Sequence, residues 1–395
     1  MIRRHLAIES GSCRVGRQSR GGRVRRAAAA GLAGVLLVGT ASAGSVAQAA
    51  GSGGEPERAI EQASGYRWTK LHTGSSSSTL LAAGDKDLWR FSGRYPDGGY
   101  ITPLAWHWDG KTWRKSALPK KAKGAVERPA ASSPRDVWVS LNSGVDSYGY
   151  ATFLHWNGKT WKISKVLPKY SSYAAGPVLP FKSGKAAGFF GQRLWLYDGG
   201  TWRESRADRE VYGASGVSPG DLWAIGGWGN PKVYRFDGGR WKAGSIGAPL
   251  KIDPAPCLKE RPNKSFSCSG TLIPTQTLAQ SSRRVLAVTT TEEWPTERWR
   301  VVRWNGRSWS KLTGTYKGVV GHAVDDGTGG LWSVVSDATG NHVVHVTGKG
   351  RVVEYASPAK DIYLGSLSVS PSGTVFVSGD REGDGYTSYV WRLTR

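Results

Sequence analysis

The chain has 395 residues, with 54 Lys plus Arg against 30 Asp plus Glu, a formal net charge of +24, and 19 Trp, 54 Gly, 3 Cys and 1 Met. A charged fraction of 21% with 11% aromatics excludes an intrinsically disordered chain. Three cysteines exclude a disulfide-dense scaffold or a Cys-rich zinc cluster, and so much Trp and Gly with a single Met argues against a helical bundle.

Residues 1–49 read as a secretory signal peptide. Eight arginines from Arg3 to Arg26 face one acid, Glu9. An apolar run from Ala27 to Ala43 follows, and Ala47-Gln-Ala49 supplies an A-x-A cleavage site. The run is short and glycine-rich and no stop-transfer pattern follows, which sets it apart from a membrane anchor. Cleavage near Ala49 is expected, leaving an extracellular protein with no transmembrane anchor. Arg25-Arg26 is followed by alanines, a weak twin-arginine signal. Residues 50–65 read as a flexible linker and 66–395 as one domain.

From there one hairpin recurs. Trp108-Asp-Gly-Lys-Thr-Trp113 returns as Trp156-Asn-Gly-Lys-Thr-Trp161, Tyr197-Asp-Gly-Gly-Thr-Trp202, Phe236-Asp-Gly-Gly-Arg-Trp241 and Trp304-Asn-Gly-Arg-Ser-Trp309. Val346-Thr-Gly-Lys-Gly-Arg351 is a degraded copy. Asp-Gly or Asn-Gly supplies the positive φ of a tight turn, and the flanking aromatics pair across the strands. A second marker precedes the hairpins: Asp87-Leu-Trp89, Asp136-Val-Trp138, Asp221-Leu-Trp223, Gly330-Leu-Trp332 and Thr374-Val-Phe376. Each unit reads as strand A, a turn, strand B, a variable loop, strand C, the Gly turn and strand D. Four antiparallel strands per repeat make a propeller blade. Spacings near forty residues fit that fold, and the longer gap from Trp241 to Trp309 implies an insertion at about 246–275.

The chain ends set the count. Tyr389-Val-Trp-Arg-Leu-Thr394 reads as a strand C lacking its strand D, and Trp68-Thr-Lys-Leu-His-Thr-Gly74 as a strand D lacking its blade. The N-terminal strand is expected to complete the C-terminal blade, giving an all-β, seven-bladed β-propeller without free sheet edges. The third blade, about 177–206, has the weakest pattern, its strand B reading only as Ala186-Ala-Gly-Phe-Phe190.

The repeat accounts for many tempting residues. Sixteen of the 19 tryptophans fall at repeated positions and are expected to pack between blades. His107, His155 and His345 share one repeat position with Leu196, Arg235 and Arg303, which marks a blade position and not a metal triad. His342 and His345 face opposite sides of a strand. The A–B and C–D turns lie on one face of the ring. The B–C and D–A loops lie on the other and vary between blades, and variable loops on a rigid scaffold are where binding resides. The B–C loops 92–101, 142–150, 226–232, 289–298, 336–341 and 380–387 hold the ligand-binding candidates Trp228, Trp294, Tyr95, Tyr100, Tyr148, Tyr150 and Tyr386. Aromatics amid Asp, Asn and Gly suit a glycan-stacking or paratope-like surface. Lys120, Lys121, Lys123 and Arg128 cluster in one D–A loop, and Lys259, Arg261 and Lys264 in the insertion. Outside a cell such charge favours polyanions. No cofactor and no metal site is expected; 380–385 starts like a calcium loop, but Trp391 stands where the twelfth-position acid belongs. Cys257 and Cys268 in an oxidising compartment read as one disulfide contributing ~2–3 kcal/mol, with two free thiols as the alternative.

The five aromatic-Asp/Asn-Gly-x-x-Trp hairpins and the x-Leu/Val-Trp strands resemble the secreted β-propellers found in actinobacteria, with kelch, Asp-box and WD-repeat propellers as distant relatives. The resemblance covers about 66–395 and implies the fold. Asp109 and Gly110 are adjacent where an Asp-box separates them, only Gly226-Gly227 matches the kelch double glycine, and the Gly-His of WD repeats is absent. No family activity carries over.

Three functions fit. The first is an exported, non-catalytic binding protein, lectin-like or polyanion- and cell-surface-binding, using the B–C and D–A loop face. The second is a propeller-type carbohydrate-active enzyme, a glycoside hydrolase or lyase, for which Arg94, Arg298, Tyr148, Glu292, Glu293 and Asp384 are candidates without a motif spacing. The third is a protein-docking subunit of a secreted complex. No nucleophile elbow, zinc signature or phosphate-binding loop is present, so the first is preferred. The expected partner is a glycan or anionic cell-wall polymer, or a secreted protein. Nucleic acid is not expected, since no recognition motif is present and export counts against it. A monomer is expected.

Overall fold

The structure is a computed structural model that describes residues 60–74, 78–94, 101–142, 151–167, 175–206, 211–227, 231–252, 271–291, 297–381 and 387–394. The signal-peptide reading of 1–49 and the Cys257–Cys268 pairing fall outside these residues. Seven antiparallel sheets follow one another in a propeller ring. Successive A strands touch around the ring and so line a central channel, while the D strands lie outermost. Blade 3 is present despite its weak pattern, with Ala186–Phe190 as strand B.

The last blade consists of Ile362–Val369, Val375–Arg381, Thr387–Thr394 and, from the other end of the chain, Arg67–Gly74. Trp68 faces Leu393 and Lys70 faces Trp391 in antiparallel register. The expected closure therefore holds, and with it the count of seven. Just before this strand, Glu61–Gln62 runs parallel along Val353 and Glu354, outermost on blade 6. Glu61 pairs with Arg351, and the Trp68 indole N–H donates to the Ala356 carbonyl at 2.7 Å. The N-terminal segment thus ties blade 6 to blade 7.

The recurring hairpin explains its own sequence. The two aromatics of each copy are direct cross-strand partners, as in Trp108 opposite Trp113 and Tyr197 opposite Trp202. The turn glycines adopt φ from 88° to 107°, the conformation that glycine supplies without strain. Asp or Asn has a different task from the one expected. Its side-chain oxygen accepts the backbone N–H groups two and three residues on, at 2.9 and 2.8 Å for Asp109. Asn157, Asp198, Asp237 and Asn305 repeat this pair of bonds. Asp and Asn interchange because only an acceptor oxygen is used. In the degraded copy the Thr347 hydroxyl takes over, accepting from the Arg351 N–H at 3.1 Å.

The strand-B tryptophans are wedges between blades. Trp89, fully buried, meets Trp156 and Trp161 of the next blade edge-on, with centroids 5.0 and 5.1 Å away. Trp138 meets Tyr197 and Trp202 at 5.3 and 5.6 Å, and Trp223 meets Trp304 and Trp309 at 5.7 and 5.8 Å. Each wedge thus enters the hairpin pair of its neighbour, as the repeat predicts. Trp299, outside the repeat, is also core: it is buried, lies 5.0 Å from Tyr316 and donates to the Lys317 carbonyl. Trp89→Ala removes a buried indole from such a joint and is expected to cost about 3–5 kcal/mol by chemical denaturation; a loss below about 1 kcal/mol would contradict the wedge's role.

Candidate functional site

The polar residues of the repeat build blades. The His155 ring lies flat on Trp138 with centroids 4.1 Å apart, and its Nε2 meets Asp136 Oδ1 at 2.8 Å. The Trp138 indole N–H donates to the same oxygen at 2.7 Å. Burial works against the Asp136 charge, but hydrogen bonds from His155, Ser132 and Trp138 outweigh it and hold the carboxyl below its usual range. His107 repeats the arrangement on Trp89 beside Asp87. Arg235 substitutes for His over Trp223 and donates to Asp221 at 3.1 Å.

Blade 6 departs from the pattern in an instructive way. Gly330 occupies the aspartate slot, and Asp326 folds in from the preceding turn to meet His345 Nε2 at 2.9 Å. A Cβ at Gly330 would stand 2.5 Å from Asp326 Oδ2, so the glycine makes the room. Sequence alignment places Gly330 in the repeat and passes over Asp326. His342 faces the other side, as expected, with its Nδ1 3.0 Å from Glu354 and its Nε2 3.3 Å from Asp337.

The loop aromatics Trp228, Trp294, Tyr95, Tyr100, Tyr148, Tyr150 and Tyr386 lie outside the described residues, as do Glu292, Glu293 and Asp384. The strand ends that carry them are described, and they share the face opposite the Gly turns. Arg94 and Arg298 belong to blades 1 and 5, three steps apart around the ring, and Arg298 is buried, so the structure does not bring them together. At blade 6 the expected loop 336–341 is a tight turn instead. Strands Leu331–Asp337 and Gly340–Val346 run up to it, and the Thr339 N–H donates to Asp337 Oδ1 at 2.7 Å. The rim carries no long B–C loop there.

The inner strand is split in two blades. In blade 2, Ala125–Val126 and Ala130–Ser133 flank a break at 127–129. In blade 6, Val319–Val320 and Val324–Asp325 flank a break at 321–323. Irregularities of this kind re-aim side chains. In blade 2 the break turns Arg128 into the channel, and its Nη1 reaches the inner strand of blade 4, 3.6 Å from where a Gly213 Cβ would stand. Sequence proximity groups Arg128 with Lys120, Lys121 and Lys123; the break separates it from those surface lysines. In blade 6 His322 turns inward. A cleft of about 110 Å³ opens beside it, lined by Val319, Gly321, His322, Ser336, Tyr363 and Ser366. Val319 and Tyr363 are exposed, Tyr363 by 63%. The His322 ring opens onto the channel yet is walled by protein, and this burial, with the Arg128 charge adding to it, pushes its pKa down to about 3. It is therefore neutral at pH 7.

A second basic pair lies between blades 7 and 1, with His72 half-buried. Arg90, 3% exposed, stacks over Trp106 at 4.2 Å. At the same register the other blades hold Val139, Gly188, Ala224, Ala287, Ser333 and Val377. Glycine at 74 leaves room for both tips, since a Cβ there would stand 2.5 Å from Arg90 Nη1 and 2.8 Å from His72 Nε2. Burial, then the Arg90 charge, pushes the His72 pKa down to about 4. Unfolded, His72 takes up a proton near pH 6.5, whereas folded it resists until about pH 4. Its contribution to stability is complete above pH 6.5 and is lost as pH falls toward 4, with a slope of at most about 1.4 kcal/mol per pH unit. His72→Gln is expected to flatten the pH dependence of the denaturation midpoint between pH 6.5 and 4; an unchanged slope would assign the acid sensitivity to other groups.

No protein family and no curated protein matches the chain. Solved structures are similar in shape. A virginiamycin B lyase from Staphylococcus aureus, catalytically inactive and with quinupristin, superposes with a TM-score of 0.54 at 14% identity, over 84% of this chain and 99% of that one. A streptogramin B lyase gives 0.53 at 13% identity over 83% and 97%. YCF48 bound to D1 peptide gives 0.52 at 12% identity over 85% and 100%. Identities this low carry the propeller fold and nothing finer.

Proposed function

We propose that the protein is exported, cleaved near Ala49, and works as a non-catalytic binding propeller whose ligand surface is the B–C and D–A loop face. The observation that carries this reading is the contrast between the two faces. On the turn face, side chains are spent on Asx acceptors and on His–Asp–Trp packing. On the loop face, the channel mouth keeps an open cleft with Tyr363 and Val319 exposed. Residues 1–49 hold eight arginines and one glutamate, so cleavage takes the net charge from +24 to 24 − 7 = +17, which still suits a glycan carrying acidic groups or an anionic cell-wall polymer. Trp228 and Trp294, with the loop tyrosines, would add stacking surface, and a Cys257–Cys268 disulfide would tie the insertion. A protein partner is the second reading, favoured by the similar propeller that holds a D1 peptide.

The test is retention on immobilised cell-wall polysaccharide. The double variant Trp228→Ala, Trp294→Ala is expected to lose retention with an unchanged unfolding midpoint. Unfolding of the variant, or retention equal to the parent, would overturn the assignment of the loop face. Protein recovered from culture medium is expected to begin near residue 50; a chain that stays cell-bound with its first 49 residues would refute export with cleavage.

A further inference from the structure

We propose that the seam between blades 7 and 1 binds a small monovalent anion of the chloride type, held between the Arg90 guanidinium and the His72 imidazole. The site lies within the ring closure and is independent of the loop face as a ligand surface.

Three observations converge. First, Arg90 is a buried cation without a counter-charge. It is 3% exposed, its Nε and Nη1 are shielded from solvent, and neither has a hydrogen-bond or ion-pair partner among the described residues. The Trp106 ring, 4.2 Å away, attracts the cation through its face and leaves both nitrogens unbonded. A guanidinium cannot shed its proton to escape burial. An unpaired buried charge is strongly destabilising, so the folded chain gains by taking up an anion.

Second, His72 brings a further donor to the same point. Its Nε2 is likewise shielded and unbonded. A Cβ on Gly74 would lie 2.8 Å from that atom and 2.5 Å from Arg90 Nη1, so the two nitrogens converge over one glycine with no hydrogen bond between them. His72 is neutral at pH 7, and the tautomer carrying its proton on Nε2 presents a donor to the anion. Third, the arrangement is peculiar to one blade of seven. The six sibling blades hold small or apolar residues at the Arg90 register, so packing of a seam does not require a cation. One positive charge and two shielded donors suit a monatomic anion. A carboxylate or phosphate on a larger molecule would need a way in that nitrogens without solvent contact do not offer.

The experiment is urea denaturation of the full chain at pH 7 in sodium chloride and in sodium gluconate at equal ionic strength, which holds general screening constant. Urea is used because guanidinium chloride brings its own anion. Chloride is expected to raise the midpoint over gluconate, the folded-to-unfolded ratio growing by up to tenfold, about 1.4 kcal/mol, for each tenfold rise in chloride. Arg90→Met keeps a long stem and is expected to fold, as the sibling blades do without a cation, and to lose the chloride effect. His72→Leu is expected to weaken chloride binding several-fold. Equal parental midpoints in the two salts, the result that ordered water alone would give, overturn the site. An Arg90→Met protein with the parental chloride response overturns it too, because the effect then belongs to the surface charge at large. If Arg90→Met does not fold, His72→Leu decides: a weakened chloride response supports the site and a parental one overturns it.

Discussion

A four-stranded blade has two apolar faces and covers neither by itself. Each becomes stable only when neighbours press on both sides, so the ring must close for any part of it to persist. The ladder between Arg67–Gly74 and Thr387–Thr394 is where that closure is made. It joins segments more than three hundred residues apart, and the flanking pairing of Glu61–Gln62 with blade 6 secures its entry.

Given closure, the chemistry of the repeat follows. Tryptophan on strand B must fill the angular gap to the next blade, and the hairpin aromatics must receive it. Histidine or arginine on strand C then covers one face of that indole and anchors to an aspartate on strand B. The residue types that elsewhere build catalytic centres here satisfy one another inside the scaffold. Their regular recurrence is evidence for packing, because a ligand site requires asymmetry that seven similar blades do not supply.

Function is therefore to be sought where the repeat breaks. The split inner strands at 127–129 and 321–323 re-aim Arg128 and His322 into the channel. The tight turn after Asp337 opens the rim above them. Arg90 puts a cation where six sibling blades hold small or apolar residues, and Gly74 yields the space it needs. Each departure changes charge or access on one side of the ring only.

The sequence by itself determined the all-β class, the strand order within a blade, the count of seven and the closing strand. These rest on local turn chemistry and period-two patterning, which neighbouring residues encode. It also placed His107, His155 and His345 in the scaffold. It could not show that Asp326 stands in for the residue at 330, that Arg128 leaves its surface lysines, or that 336–341 tightens to a turn. Those outcomes depend on how backbone irregularities in one blade meet side chains of blades two or more steps away. Contacts across a channel have no period along the chain, so only the tertiary structure decides them.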